Sequence, residues 1–358
     1  MNSKSILAFL RYFLPLTGVI LLISYFYADS HRDAERRHRE ASEVLNVGLG
    51  AGMLDRRLLI VGRDLRLVAA SGALKRYVES GENRELSRIT EDFLGFAEAR
   101  AAYDQIRLLD PAGQEIVRID HDGKQGRVIA PAQLQNKADR YYFRDSIGLP
   151  AGSIYVSPLD LNVENGQIET PHRPTLRLAM PLADSQGRTR ALLVLNYRAG
   201  EMLGYVADVT AQAADHLMVV NPEGYFLLAP RHEDEWGFMF GKPELSLAQR
   251  HPPSWARIRD METGQFTDSA GLWTVATAHV ARSLQEKPAP LAPDLANGPS
   301  WKVVARLPAS ALPGLFDDWQ ADSFALAALL LALAAAASAA LARGKQQRES
   351  TEMRFRAY

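Results

Sequence analysis

Two long apolar runs stand out from the rest of the chain, where apolar residues recur with a regular period. The runs are Ile6–Tyr27 and Phe324–Leu341, and they are almost free of charge. Each is close to the roughly 20 residues that a helix needs to cross a bilayer core. No small-residue cleavage site of the signal-peptide kind follows the first run. We therefore predict membrane helices over 6–27 and 324–342. A cleaved signal peptide and a buried Ala-rich helix are the respective alternatives.

Basic residues near the ends of these runs predict their orientation. Lys4 precedes the first run, while Arg343, Lys345 and Arg348 follow the second. Lys and Arg are enriched on the cytoplasmic side of membrane helices. Residues 1–5 and 343–358 are therefore predicted to be cytoplasmic, and everything between the two spans is predicted to lie outside the inner membrane.

The region after the first span has a helical period and predicts a stalk helix over 28–68. One face carries apolar residues three or four apart: Val44, Val47, Ala51, Leu54, Leu58, Val61, Leu65 and Val68. This stripe either packs only on the chain's own domain, or part of it also forms a homodimer seam, as a/d spacing permits. His31, Glu35 and His38 share a face, but zinc would need further ligands. A charged stalk without metal is the favoured interpretation.

After the stalk, the sequence pattern changes to one that is typical of short strands and turns. The segments "YDQIRLLDPAGQEIVRID" and "DHLMVVNPEGYFLLAP" each predict two strands joined by a (D/N)P-x-G turn. "GSIYVS", "TLRLAMPLADSQGRTRALLVLNYR", "GQFTDSAGLWTVATAHV" and "WKVVARLP" predict further strands, "PAQLQNKADRYYFRDSIG" a polar helix, and "SLQEKPAPLAPDLANGPS" a mobile loop. The fold class is therefore α+β: a long helix, then two modules over 69–205 and 206–310 with antiparallel hairpins.

Composition and missing motifs exclude several functions. The net charge of −1 gives no reason to expect nucleic acid, and the absence of cysteine excludes disulfides and thiolate chemistry. The connection "SPLDLNVENGQIETP" spaces its acids like a calcium loop, but Asn165 and Pro171 occupy the positions where an EF-hand needs Gly and Glu. "RHEDEW" has Trp236 in place of the second histidine of a zinc protease, and no G-x-S-x-G is present. We expect no metal, no cofactor and no catalysis, so an ectoenzyme is the least favoured function.

Several phrases resemble a known sensor family. "YVSPLDLNVENGQIETPHRPTLRLAMPLADSQGRTRALLVLNY" is similar to the membrane-distal module of LuxQ-like periplasmic sensors, and "NPEGYFLLAPRHEDEWGFMFG" and "HPPSWARIRDMETGQF" are similar to their proximal module. The likeness spans most of Asp29 to Pro308 and indicates a double Cache, or tandem PAS-like, sensor. "TEMRFRAY" looks like the opening of a cytoplasmic PAS domain. The resemblance implies the input half of a receptor that drives a histidine kinase or diguanylate cyclase.

The resemblance also implies where a ligand would bind. Cache-like modules carry a pocket on one face of the central sheet, covered by the segment before the middle strand, here "DRYYFRD". Arginine forks suit carboxylate or phosphate, and aromatic side chains line small-molecule pockets. The candidate ligand-binding residues are Arg140, Tyr141, Tyr142, Phe143, Arg144, Tyr155, Ser157, Asp160, Asn162, Arg177 and Asn196.

One position departs from the family pattern for amine and amino-acid ligands. Sensors of those ligands carry an acidic residue near the end of a late strand in the membrane-distal module. This chain has Asn196 there, and an amide supplies no negative charge. We therefore expect an anionic or neutral small ligand rather than an amine. A periplasmic binding protein that docks on a module without a pocket is the alternative partner. Trp236, Trp255, Trp273 and Trp301 are predicted to be core residues rather than a second pocket.

Overall fold

The computed structural model describes residues 3–164, 166–280, 300–312 and 321–356. The chain divides into two compact units, residues 1–42 with 308–358, and residues 43–307. Helix α1 (Ser3–Ala69) begins in the first unit, which also holds the C-terminal helix α8 (Ala321–Arg356). By length and apolar composition, the stretches Ile6–Ala69 and Ala325–Arg348 contain the two candidate membrane spans. The predicted mobile loop lies outside the described residues, apart from Ser300.

The first sheet of the second unit is antiparallel, with the strand order β3-β2-β1-β9-β8-β4, and β5 also pairs with β8. Its strands are β1 (Tyr103–Leu109), β2 (Glu115–His121), β3 (Gly126–Val128), β4 (Tyr155–Val156), β5 (Asp160–Leu161), β8 (Pro174–Ala183) and β9 (Thr189–Arg198). Strands β6 (Val163–Glu164) and β7 (Gln167–Ile168) form a separate two-stranded hairpin. The connection 157–171, read from the sequence as a loop, therefore holds three short strands.

Helices cover both faces of this sheet. On one face, α1, α2 (Gly72–Ser80) and α3 (Leu86–Arg100) bury a continuous apolar core to which Ile106, Leu178 and Leu195 contribute. On the other face, α4 (Tyr141–Ile147) packs on β4, β8 and β9. Because side chains alternate along a strand, the residues between the apolar ones project toward α4. This second face carries the polar residues considered below.

The second sheet is also antiparallel, with the order β11-β10-β14-β13-β12. Its strands are β10 (Leu217–Val220), β11 (Phe226–Leu228), β12 (Thr263–Asp268), β13 (Gly271–His279) and β14 (Ser300–Leu307). Helix α5 (Ala199–Val209) follows β9, and α6 (Leu247–Arg250) and α7 (Pro252–Asp260) precede β12. Trp236, Trp255, Trp273 and Trp301 are all buried, as predicted for core residues.

One face of α1 is buried along the domain, and this explains most of the predicted stripe. From Val47 to Val68 the stripe residues belong to the common core, which joins the two sheets. The approach is close: a Cβ at Gly50 would stand 3.1 Å from Val303 Cγ1. Val44 departs from the prediction, since it is 51% exposed. The stripe is therefore occupied by the chain's own sheets.

The polar helix predicted over Pro131–Gly148 is an α-helix only at α4, with one short 3₁₀ turn at its start. The reason is the backbone hydrogen bonding of the segment around Gln135 and Lys137. Glu115 N donates to Gln135 O (3.0 Å) and Lys137 N donates to Gly113 O (2.7 Å), so this segment pairs with the first hairpin. A backbone that bonds to a neighbouring hairpin cannot also make the helical i to i−4 bonds.

Candidate functional site

Two rows of side chains cross the α4-facing side of the first sheet. The pairing Gln105–Asn196–Arg177 places three polar residues side by side on β1, β9 and β8. The next row runs from Arg107 through Val194 and Ala179 to Tyr155. Residues from four strands that are far apart in sequence therefore meet on one surface, under helix α4.

Arg177 is the centre of the first polar network, and it is only 2% exposed. Its Nη1 contacts Asp160 Oδ1 at 2.6 Å and donates to Tyr141 Oη at 3.1 Å, and its Nη2 donates to Asn162 Oδ1 at 3.1 Å. Tyr141 Oη in turn donates to Asp160 Oδ2 at 2.9 Å. Burial opposes the charge of Arg177, but the Asp160 carboxylate outweighs it, so the pKa of Arg177 is raised.

Arg107 is the centre of the second network, and it is 3% exposed. Its Nη1 donates to Tyr142 Oη at 2.8 Å, and its Nη2 donates to Asn196 Oδ1 at 2.5 Å. Asn196 extends this hydrogen-bond network to Gln105, because its Nδ2 donates to Gln105 Oε1 at 3.1 Å. The Tyr142 ring lies near both networks, with Arg107 Cζ 5.2 Å and Arg177 Cζ 5.8 Å from its centroid. Both cations are thus close enough to interact with the same aromatic ring.

Two buried atoms in the second network lack a hydrogen-bond partner in the part of the chain that the structure describes. They are Arg107 Nε and Glu115 Oε1. Glu115 is 2% exposed; its Oε2 accepts from Gln135 N at 3.0 Å, and its Oε1 lies 3.8 Å from Arg107 Nη1. A buried polar group without a partner costs about 1–3 kcal/mol, and more when it is charged.

A cleft of about 570 Å³ opens beside these networks. Its walls include Gln105, Arg118, Asp120, Asn162 and Glu164, which belong to β1, β2 and the connection before β8. Arg118 and Asp120 are paired by two contacts of 2.7 and 3.0 Å. Gln105 and Asn162 belong to the networks of Arg107 and Arg177, so the cleft is continuous with both.

The predicted site residues fall into two groups. Tyr141, Tyr142, Asp160, Asn162, Arg177 and Asn196 meet in the two networks, and Phe143 is buried beside them. Tyr155 donates to Asp145 Oδ2 (3.1 Å) at the edge of the site. Burial raises the pKa of Tyr141 to about 12 and also raises that of Tyr155.

The remaining predicted residues have other surroundings. Ser157 Oγ accepts from Arg177 N at 2.9 Å and donates to Pro158 O at 2.7 Å, so its hydroxyl holds the backbone. Arg144 is exposed, and Arg140 is the half-buried residue that precedes α4.

Sequence reasoning missed Gln105, Arg107 and Glu115. Gln105 and Arg107 stand two apart in the largely buried strand "YDQIRLL", and both face α4. A buried-strand pattern that admits polar residues at every second position marks a polar sheet face. That alternation was the available signal.

The fold and site together define a class of protein: a periplasmic-type sensor domain built from tandem sheets on a long helix. The model of the bacterial histidine kinase sensor domain family matches residues 61–283. The chain belongs to this family, and the resemblance drawn from the sequence is confirmed. None of the curated proteins compared with the chain matches it.

Solved structures with the same fold come from several receptors. A domain of a sensory box/GGDEF family protein from Vibrio parahaemolyticus has 20% identity and a TM-score of 0.55, covering 75% of this chain and 99% of its own. The periplasmic sensory domain of the Campylobacter jejuni chemoreceptor Tlp1 has 11% identity and a TM-score of 0.54, covering 79% and 99%. The sensory domain of the C. jejuni chemoreceptor Tlp3, solved with isoleucine bound, has 8% identity and a TM-score of 0.52, covering 80% and 98%.

Proposed function

We propose that this chain is the ligand-sensing input region of a two-pass receptor in the bacterial inner membrane, which passes a periplasmic signal to a cytoplasmic kinase or diguanylate cyclase. Membership of the sensor family and the two candidate spans support this topology. The basic residues Lys4, Arg343 and Lys345 favour cytoplasmic ends. In this proposal 69–205 is the membrane-distal module and 206–310 the proximal one.

We place the ligand on the α4-facing side of the distal sheet. The observation that carries this proposal is the pair of buried arginines, Arg107 and Arg177, which flank Tyr142 beside an open polar cleft. Small-molecule sites combine a few converging polar groups with aromatic walls. Asn196 is an uncharged amide whose Oδ1 already accepts from Arg107 Nη2, so this position offers no negative charge to an ammonium group. We therefore infer an anionic or neutral ligand rather than an amine.

Thermal unfolding of the full chain in detergent micelles tests this proposal. Tryptophan fluorescence provides the signal, because Trp255 and Trp273 are buried in the second sheet's core. A ligand at 100 times its Kd stabilises the folded state by about 2.7 kcal/mol. We expect at least one small acid or neutral polar molecule to raise the Tm, and simple amines to leave it unchanged. A rise with amines alone would contradict the ligand class, and no rise with any molecule would contradict small-molecule sensing.

We also propose that the receptor is a homodimer, joined along the outward face of α1. The apolar stripe on the inward face of α1 is already buried against the chain's own sheets. On the outward face, Leu45, Leu49 and Leu67 are 62%, 47% and 59% exposed. At Gly48 and Gly52 a Cβ would meet nothing within 4 Å, so a second helix can approach closely there. Anchoring in one membrane would hold two copies parallel, which suits a seam of this kind.

Cysteine cross-linking tests the dimer, because the natural chain has no cysteine. We expect Leu49→Cys to form a disulfide-linked dimer in oxidised membranes. Lys124→Cys, on the exposed turn after β2, is the matched control and should remain monomeric. Equal cross-linking at the two positions would indicate random collision and would contradict the seam.

A further inference from the structure

A second cavity, of about 380 Å³, lies where segments attached to the two sheets meet, and it shares no lining residue with the cleft described above. His172 and Pro174, at the entry to β8, contribute one part of the lining. Trp236, Phe240 and Leu245, which follow β11, contribute another. The rings of His172 and Phe240 are in contact, with 5.4 Å between their centroids. A molecule in this junction cavity therefore touches both parts of the chain, and such boundaries are a preferred location of small-molecule sites.

Trp236, one of the lining residues, has a backbone conformation that bulky residues rarely adopt. Among the residues that the structure describes, only Ala101 and Trp236 combine a side chain with a positive φ, of 49° and 62°. Ala101 caps the C-terminus of α3, where this conformation is common. Trp236 instead follows β11 and starts a 3₁₀ turn. Strained residues of this kind concentrate at ligand sites and switch regions, so the strain at Trp236 is a second reason to examine this cavity.

Aromatic and aliphatic side chains form a large part of the lining. Trp236 and Phe240 supply aromatic rings, and Pro174 and Leu245 supply aliphatic surface. Phe240 is 40% exposed, although it is a large apolar residue. The first cleft differs, because apart from one glycine its lining consists of polar side chains. The junction cavity therefore suits a molecule that carries apolar surface.

The charged side chains of the lining give the junction cavity a negative balance. Two carboxylates, Glu233 and Glu235, are accompanied by one ammonium group, that of Lys242. The carboxylate of Glu235 is held in place, because its Oε1 accepts from Ala229 N at 3.1 Å and lies 3.0 Å from His232 Nδ1. Neither of these contacts uses Oε2. Aromatic rings attract cations through their π faces, and nearby carboxylates strengthen that attraction.

We propose that the junction cavity is a second ligand site, which binds small quaternary ammonium compounds. A quaternary ammonium group carries its positive charge on apolar methyl groups and has no N–H to satisfy, so the rings of Trp236 and Phe240 can hold it directly. A primary ammonium group has three N–H donors and is strongly hydrated, so it loses more on leaving water. This site is separate from the one proposed under α4.

Titration calorimetry of the wild-type full chain in dodecyl maltoside micelles tests this ligand class, because that detergent carries no ammonium group. Choline is compared with ethanolamine, which lacks the methyl groups, and with the alcohol that has a tert-butyl group in place of trimethylammonium. We expect choline to bind and each analogue to bind at least about tenfold more weakly, which corresponds to about 1.4 kcal/mol. No binding of choline at millimolar concentration, or equal binding of either analogue, would overturn the proposal.

Two variants locate choline binding in the junction cavity. Phe240→Leu removes a ring but keeps an apolar side chain at a position that is 40% exposed. Glu235→Gln removes a charge but keeps an oxygen that accepts from Ala229 N. Each should weaken choline binding at least about threefold. Tyr205→Leu is the matched control, because Tyr205 is 39% exposed and lies on α5, outside this cavity, and its affinity for choline should equal that of the wild type.

The outcomes keep this proposal separate from the one for the distal sheet. Unchanged choline affinity in the folded Phe240→Leu and Glu235→Gln chains, or an equal loss in Tyr205→Leu, would overturn the junction site. Because the comparison of the three probes uses the wild-type chain, it remains decisive if a variant fails to fold. Failure of choline to bind leaves the distal proposal intact, since that one is tested with acids and neutral molecules.

Discussion

The ion pair between Arg177 and Asp160 offers a quantitative test of how the site is held together. The Arg177 side chain is 2% exposed and that of Asp160 14%, with 2.6 Å between their charged atoms. Removing one partner of a buried ion pair costs about 3–5 kcal/mol, because the remaining charge is left uncompensated. Asp160→Asn keeps an oxygen that accepts from Arg177, so we expect a smaller loss of about 2–3 kcal/mol.

A loss of this size is measurable as a change in Tm. In a domain of 150–250 residues, 1 kcal/mol corresponds to about 2–4 °C, so Asp160→Asn should lower the Tm by about 4–12 °C. Arg177→Gln should lower the Tm at least as much, because it leaves the Asp160 carboxylate without its cation. The double variant should lose less than the sum of the two single variants, since residues in contact couple by about 0.5–3 kcal/mol.

Thermal unfolding of the four proteins, followed by tryptophan fluorescence, measures this coupling. The same cycle at Arg259 and Asp260 is the control, because these side chains are 59% and 71% exposed and should show no coupling beyond error. Additive Tm changes at Arg177 and Asp160, or single changes below about 1 °C, would refute the view that this pair supports the distal site.

Two further predictions concern the pH dependence of stability and the hairpin turns. His216 has Glu43 Oε2 and Asp215 Oδ1 at 3.0 and 2.6 Å from its ring nitrogens; burial opposes protonation, but these contacts raise its pKa above 6.5. Its contribution to stability is therefore complete below pH 6.5 and is lost as the pH rises past the raised pKa, so Tm should fall in that range for the wild type and should fall less for Glu43→Gln, which keeps only the contact with Asp215. Gly113 and Gly187 both have left-handed backbones (φ 82° and 78°), but a Cβ at Gly113 would stand 2.7 Å from a backbone nitrogen, whereas one at Gly187 meets nothing within 4 Å. Gly187→Ala should cost about 1–2 kcal/mol from backbone strain alone, and Gly113→Ala more; equal Tm losses would contradict the close approach.

The amino-acid sequence by itself determined the local features of this protein. The (D/N)P-x-G segments predicted turns, and Gly113 and Gly224 adopt the positive φ values that such turns require (82° and 87°). The period of α1 predicted a helix with one apolar face, and that face is buried from Val47 onward. Period, turn chemistry and composition act over a few residues, so they can be read without knowing the fold.

Only the tertiary structure decided which strands are neighbours, and the site depends on that choice. Strand β9 lies between β1 and β8, which brings Arg107 within hydrogen-bonding distance of Asn196, 89 residues away in sequence. Residues two apart on a strand share a face, so Arg107 lies on the same side as Gln105, but this alternation does not reveal which residues stand opposite. Glu115, at the start of β2, likewise cannot be distinguished in the sequence from an ordinary acidic residue at the end of a strand, because its partners are distant in sequence. Its burial beside Arg107 arises because the segment around Gln135 pairs with the first hairpin and covers it. Local patterns specify faces, whereas contacts between faces depend on long-range pairing, which only the folded chain defines.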